Sequence, residues 1–412
     1  MQLLHLTPYV AHPLHHGGRI RSRQLLRAAV GAGHRVVNVA LSRGPAETAG
    51  ADALRAEGVD VRTVEVPPAP PALTQGERLV KWARLLAGRS SLLPRWRHDL
   101  AAAEVARVVR ETPIDLAVID TPWMDVYRSE LRGIPYVAST QNVEGDVLAA
   151  AAATLGPAAA WAAARDAAIL LAHERRWTRG AAAVVAVSDE DARRFGAMTE
   201  GCRTVVAPNG VDVETLRPLG DPPADGPLLF VASYDYPPNA DAARWFVRDV
   251  LPAVRATLGP VEAVLAGREP DAEVRALAQT PGVRVTGAVD ELGPLYRAAR
   301  AVVAPLRFGG GSRLKILEAF AYGRPVVATG PGAAGLAARP GRELLVADDA
   351  AGFAAALGRL RDERGLAASL ATAAREFVET RHGWPASRAA YLAALDAAAR
   401  AIRPRAELRR GA

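Results

Sequence analysis

Cysteine is almost missing from this sequence. Cys202 is the only one in 412 residues, which excludes an internal disulfide framework and a thiolate metal cluster. No apolar run is long enough to cross a bilayer. Residues 1–10 read directly as a strand, without the basic segment and cleavage site of a secretory leader. A cytoplasmic location is therefore expected. Lysine is scarce, so the excess of 51 Lys+Arg over 44 Asp+Glu, a net +7, is carried almost wholly by arginine. That balance suits anionic partners such as phosphorylated donors or membrane surfaces. No stacking or zinc motif accompanies it, so nucleic acid is not expected as a partner. No repeat of fixed period occurs.

What the chain has instead is alternation. Strands are expected at 2–7, 35–41, 61–66, 116–119, 136–140, 183–187 and 204–207, then at 228–232, 262–266, 283–286, 301–305, 326–328 and 343–346. Helical periods fill most of the intervals, which predicts parallel sheets with helices on both faces. A chain of 412 residues exceeds one core and suits two domains. The expected division is 1–207, a proline- and glycine-rich linker at 208–227, a second domain at 228–384, and a helix at 385–403 that returns to the first domain and ends in a basic tail. Two doubly wound domains imply a cleft, with ligands outside the carboxyl ends of the strands. That favours a transferase with two substrates.

The most informative stretch is 305–329, Pro-Leu-Arg-Phe-Gly-Gly-Gly-Ser-Arg-Leu-Lys-Ile-Leu-Glu-Ala-Phe-Ala-Tyr-Gly-Arg-Pro-Val-Val-Ala-Thr. It reads as strand end, glycine loop, helix and strand. Gly309, Gly310 and Gly311 let backbone N–H groups approach an anion, and Ser312 is a candidate cap for the helix that follows. Arg313 and Lys315 oppose the macrodipole in the first turn, a conflict that a bound anion would offset. Glu318 lies further along, where a carboxylate suits two adjacent hydroxyls such as those of a ribose. An ordinary glycine turn with a solvated glutamate fits the same residues.

This stretch stands in order with Ala-Val-Ser-Asp-Glu-Asp at 186–191, Pro-Asn-Gly-Val-Asp at 208–212, Leu-Phe-Val-Ala-Ser-Tyr-Asp-Tyr-Pro-Pro-Asn at 229–239 and Val-Arg-Val-Thr-Gly-Ala-Val-Asp at 283–290. In that order and spacing the chain resembles, over nearly its whole length, the GT-B glycosyltransferases of family four, the retaining "glycosyl transferases group 1". The resemblance implies two facing doubly wound α/β domains, the first for the acceptor and the second for a nucleoside-diphosphate sugar. Glu318 matches the second of the family's paired glutamates, the ribose ligand, while Gly310 stands where the first would be. The loop is similar to that of a subgroup with Gly-Gly-Gly-Ser/Thr-Arg-Leu-Lys. In it the amides of Gly310, Gly311 and Ser312, with Lys315 or Arg313, would carry the diphosphate. The family's usual Arg…Lys pair is missing, with only Arg244 and Arg268 as nearby cations, and Thr286 and Gly287 match the segment that contacts the base.

In the first domain Gly17 and Gly18 match the family's glycine pair near the phosphates. Gln141 replaces a histidine placed near the transferred sugar. Glutamine cannot act as a base; it can orient a hydroxyl or donate a hydrogen bond. Retaining transfer on the donor's own face needs no strong protein base, because the leaving diphosphate accepts the proton and its stabilisation carries most of the catalysis. No divalent metal and no cofactor are expected, since a helix N-terminus can neutralise the diphosphate of this co-substrate.

His15 and His16 in the first loop are candidate acceptor or phosphate contacts, as is Asp120 at a strand end, although capping the next element explains Asp120 equally well. Residues 74–100 interleave Trp82, Leu85, Leu86, Leu92, Leu93 and Trp96 with Lys81, Arg84, Arg89, Arg95 and Arg97. Such a stretch can lie on an anionic membrane or pack on the sheet with a solvated arginine face. Two rivals to the transferase remain. One is a non-hydrolysing nucleotide-sugar epimerase of the same architecture, and the other is a catalytically silent nucleotide-sugar-binding protein.

Overall fold

The computed structural model describes residues 1–14, 17–68, 73–199, 201, 203–309 and 313–410, with side chains to 401 apart from residue 46. Met1–Pro208 with Ser387–Ala412 form one compact unit, and Asn209–Ala386 form the other.

The first unit holds β1 (Gln2–Thr7), β2 (Arg35–Ser42), β3 (Asp60–Glu65), β4 (Leu116–Asp120), β5 (Tyr136–Ser139), β6 (Ala183–Ala186) and β7 (Thr204–Val206). They form one sheet in the order β3-β2-β1-β4-β5-β6-β7, with every pairing parallel. The apolar runs are continuous because both faces are covered; all five residues of β4 are buried. One face packs with Tyr391, Ala394, Leu395 and Ala398 of the last helix, Trp384–Arg410. Arg388 Nε of that helix donates to Gln24 Oε1 over 3.1 Å.

The second unit holds β8 (Leu228–Val231), β9 (Ala263–Ala266), β10 (Val283–Gly287), β11 (Ala301–Ala304), β12 (Val326–Ala328) and β13 (Leu345–Val346). Their order is β10-β9-β8-β11-β12-β13, again all parallel. The helix Leu314–Ala321 docks by Ile316, Leu317 and Phe320, each fully buried, and burial of such a side chain stabilises by roughly 1.5–3 kcal/mol. Two arginines tie carbonyls of the irregular chain after Asn209 to carbonyls of neighbouring helices. Arg375 donates to Val213 O at 2.8 Å and Ala321 O at 2.7 Å, and Arg324, 1% exposed, to Gly220 O at 2.8 Å and Tyr296 O at 2.7 Å.

The helix after β1 begins at Gly17, so the glycine pair forms its first turn. Residues 350–381 form two helices, Ala350–Asp362 and Leu366–Arg381, broken where Gly365 takes φ 81°. Residues 74–100 are no single helix. Thr74 and Glu77 form a capping box on Gln75–Leu86, and Trp96 ends a separate 3-10 turn, Leu93–Trp96. Cys202 lies outside the described residues. Among the described residues, no helix is long and apolar enough to cross a membrane.

Candidate active site

In a doubly wound sheet the crevice for ligands opens where the strand order reverses, between the first strand and its neighbour of later sequence. Here those points are β1/β4 and β8/β11. Each gathers polar side chains on its carboxyl side.

At the first, Tyr9 follows β1, Asp120 ends β4 and Gln141 follows β5, with Gly18 and Ser22 on the helix Gly17–Gly31. Asp120 is fully buried, and its Oδ2 accepts from Ser22 Oγ at 2.5 Å and from Gln141 Nε2 at 3.4 Å. Gln141 Nε2 also donates to the Tyr9 hydroxyl over 2.6 Å. A carboxylate accepts only, so it holds the amide nitrogen toward itself and leaves Oε1 on the Gly18 side. A Cβ at position 18 would stand 2.5 Å from that oxygen and 2.3 Å from the Tyr9 hydroxyl. A larger residue there would have to displace Tyr9 or Gln141. Burial pushes the Asp120 carboxyl up, against the Ser22 hydrogen bond and the Arg21 charge. Asp120 is sealed from solvent, whereas Gln141 is partly exposed, so the expected direct contact of Asp120 with an acceptor is not open in this structure. The next residue, Thr121, is buried with φ 71°, a strained conformation for a β-branched residue and one that collects near functional sites.

At the second point, Lys315 and Glu318 lie on the helix Leu314–Ala321, both partly exposed. Lys315 Nζ donates to Asn239 Oδ1 over 2.6 Å and lies 4.7 Å from the Phe230 ring centroid. Burial, with Arg313 adding to it, pushes the ammonium down to about 7. Burial likewise pushes Glu318 up to about 7, opposed by a 3.3 Å bond from the Tyr296 hydroxyl and by Lys315. Two groups of opposite charge on one helix thus titrate near neutrality, a pattern that clusters at functional sites.

Arg313 is the residue before this helix, not part of its first turn. Its Nη2 donates to Gly309 O at 2.8 Å and Pro331 O at 2.9 Å, which pins the loop. Gly309 has φ 123°, a conformation open to glycine. Arg268 follows β9 and pairs with Asp235 at 3.3 Å and Glu269 at 3.1 Å. Thr286 and Gly287 end β10, and Gly287 O accepts from Thr286 Oγ1 at 2.7 Å and Gly267 N at 3.1 Å. Arg244 is taken up by Asp271 at 3.2 Å. His15, His16, Gly310, Gly311 and Ser312 lie outside the described residues. Sequence reasoning missed Tyr9, Ser22, Asn239 and Tyr296. The available signal was position alone, since Tyr9 and Asn239 follow the first strand of each unit.

Comparison with known proteins adds the family. Residues 16–215 match the profile described as Glycosyltransferase Family 4, and residues 226–363 match Glycosyl transferases group 1. No curated protein matches the chain. Among solved structures, sucrose-phosphate synthase from Thermosynechococcus elongatus is similar with a TM-score of 0.68 at 20% identity, over 94% of this chain and 96% of that one. Anabaena HepE, solved with UDP-glucose, gives 0.64 at 17%, over 96% and 100%. A mutant of S. aureus TarM, solved with Fondaparinux, alpha-GlcNAc-glycerol and UDP, gives 0.67 at 10%, over 96% and 99%. At such identities the likeness is one of fold, the GT-B pair of parallel α/β domains. With a profile matched on each of its halves, the chain belongs to the glycosyltransferases of family 4, group 1.

Proposed function

We propose that this glycosyltransferase moves a sugar from a nucleoside-diphosphate sugar to an acceptor hydroxyl with retention at the anomeric carbon, in the biosynthesis of a polysaccharide, a lipid-linked glycan or a natural product. The observation that carries the donor half is the placement of Lys315 and Glu318 on one helix after β11. Lys315 would meet the diphosphate as a cation, with the amides of Gly309, Gly310, Gly311 and Ser312, while Arg313 holds that loop in place. Glu318 would take two ribose hydroxyls, and Thr286, Gly287 and Arg268 would border the base and phosphates.

On the acceptor side, Gln141 would orient a sugar hydroxyl, and Gly17 and Gly18 keep the approach open. His15 and His16 are proposed acceptor contacts. The acceptor oxygen bonds to the anomeric carbon as the bond to the diphosphate breaks, and its proton passes to the leaving diphosphate. Stabilising that anion by Lys315 and backbone amides is the main catalytic contribution, without a divalent metal or cofactor. Nuclear magnetic resonance of the product in EDTA tests this. The reading expects the donor's anomeric configuration in the product; an inverted centre, or turnover that appears only with added metal, would sink it.

We also place the protein in the cytoplasm with peripheral contact to an anionic membrane through the helix Gln75–Leu86. Leu79, Val80 and Leu86 are 72%, 59% and 71% exposed on it, while Leu85 is its buried anchor. Arg78, Lys81 and Arg84 accompany them on the same helix, the composition of a helix that lies in a lipid interface.

A further inference from the structure

Two tryptophans occupy the carboxyl side of the first sheet, and neither is fully buried. Trp96 closes the 3-10 turn Leu93–Trp96, and Trp123 stands three residues past Asp120. Their rings stack with centroids 5.8 Å apart and planes inclined by 22°. The Arg43 guanidinium, directly after β2, lies over the Trp96 ring at 4.8 Å. Arg43 Nη1 reaches Pro8 O at 3.4 Å, next to Tyr9. The stack therefore spans the ends of β2, β1 and β4, beside the Tyr9–Gln141–Asp120 network.

Trp96 is held rigidly. Its carbonyl accepts from the buried Tyr127 hydroxyl at 2.5 Å, and the adjacent Arg97 donates to Val126 O and Glu130, at 2.8 and 2.7 Å. Trp96 also packs against the buried cluster of that face, whereas Trp123, among the described residues, belongs to none of the three cores and is partly exposed. A ring has two faces. Trp96 covers one face of Trp123, and the Trp123 side chain remains partly exposed.

We infer that Trp123, backed by Trp96 and Arg43, is the acceptor platform of this transferase, and that its occupant is a pyranose ring. The inference rests on the proposed transfer reaction and names its acceptor class. An aromatic face is electron-rich. The C–H face of a pyranose is apolar and carries the complementary partial positive charge, and its hydroxyls project from the rim, where Gln141 Oε1 can accept from one. An extended polyol has the hydroxyls without the flat face. Thr121, with φ 71°, and Pro122 join Asp120 to Trp123 in the chain.

Saturation-transfer nuclear magnetic resonance on the full chain tests this, with methyl α-glucoside, α-galactoside and α-mannoside as probes and sorbitol and 4-nitrophenol as controls. The expected result is transfer to the ring protons of at least one pyranoside and none to sorbitol. That signal should be lost in Trp123→Ala and kept in Trp123→Phe, and the acceptor KM of Trp123→Ala should rise roughly tenfold with kcat little changed. Undiminished transfer in a folded Trp123→Ala, no transfer to any pyranoside in the wild type, or transfer to 4-nitrophenol alone would each overturn it. UDP affinity, measured in parallel by calorimetry, reports on the donor reading separately.

Discussion

Lys315 Nζ donates to Asn239 Oδ1 over 2.6 Å, directly above the face of Phe230. An amide oxygen accepts a hydrogen bond without supplying a charge, and the ring contributes only its quadrupole. Glu318, the acid on the same helix, is itself pushed up toward neutrality. The ammonium form of Lys315 thus lacks a full countercharge in the free protein, and a diphosphate would supply one.

The first prediction concerns pH. Lys315 is pushed down to about 7, so its ammonium is present below that pH and lost above it. A bound diphosphate favours the charged form, so UDP binding should take up a proton and weaken as pH rises. Glu318 is pushed up to about 7 and is the carboxylate only above it, which opposes the trend. In Glu318→Gln the Lys315 limb stands alone, and UDP affinity should fall by up to about tenfold per pH unit above 7. Lys315→Arg, charged throughout, should flatten that limb. Calorimetry in buffers of different ionisation enthalpy counts the proton directly, and an unaltered profile in both variants would remove these groups from the site.

Glu318→Ala should weaken donor binding by ~1–3 kcal/mol, the worth of charge-assisted hydrogen bonds to a diol. A 2′-deoxynucleotide should bind the variant and the wild type more nearly alike. Unchanged UDP affinity in Glu318→Ala would exclude it as the ribose ligand.

Asp120→Asn keeps the shape of the buried network but replaces an acceptor by a donor facing Ser22 or Gln141. The Gln141 amide then loses its enforced orientation. The barrier to turnover should rise by about 1–3 kcal/mol, while UDP affinity, read on the other unit, stays as in the wild type. Equal losses in both would point to general damage instead of a positioning role.

Gly18→Ala places a Cβ against the Tyr9 hydroxyl and Gln141 Oε1. Overpacking of this kind costs ~1–3 kcal/mol of stability. The variant should remain folded, melt at lower temperature and lose most of its turnover, as thermal denaturation and a rate assay would show. Full activity would mean that Gln141 need not stay where it is.

Most strands were legible as short apolar runs buried on both faces, as at β1 and β12, whose bounds match the pattern; β3, an edge strand, showed itself by alternation instead. Glu318 and Lys315 were visible because a charge in an apolar helical window is conspicuous. Tyr9 and Asn239 were not, since their roles arise from partners 132 and 76 residues away. Arg313 reads in sequence as a ligand cation; what only the structure adds is that its Nη2 donates to carbonyls of two separate segments. Trp123 carried no local signal at all; its place follows from Asp120 ending β4.

Replacing Leu79 and Leu86 together by glutamate should abolish sedimentation of the full chain with phosphatidylglycerol vesicles and leave its melting temperature nearly unchanged, because both side chains are more than two-thirds exposed. Wild-type protein that ignores such vesicles at low salt would rule out the membrane contact.

The central claim is tested most directly by calorimetric titration of UDP-, GDP- and dTDP-sugars into wild-type protein and Lys315→Ala in metal-free buffer. The account predicts that one nucleotide sugar binds the wild type and that Lys315→Ala weakens it by at least about tenfold, the loss of a charge-assisted contact. If none of them binds the wild type, or the variant binds equally well, the donor site is not where Lys315 and Glu318 stand.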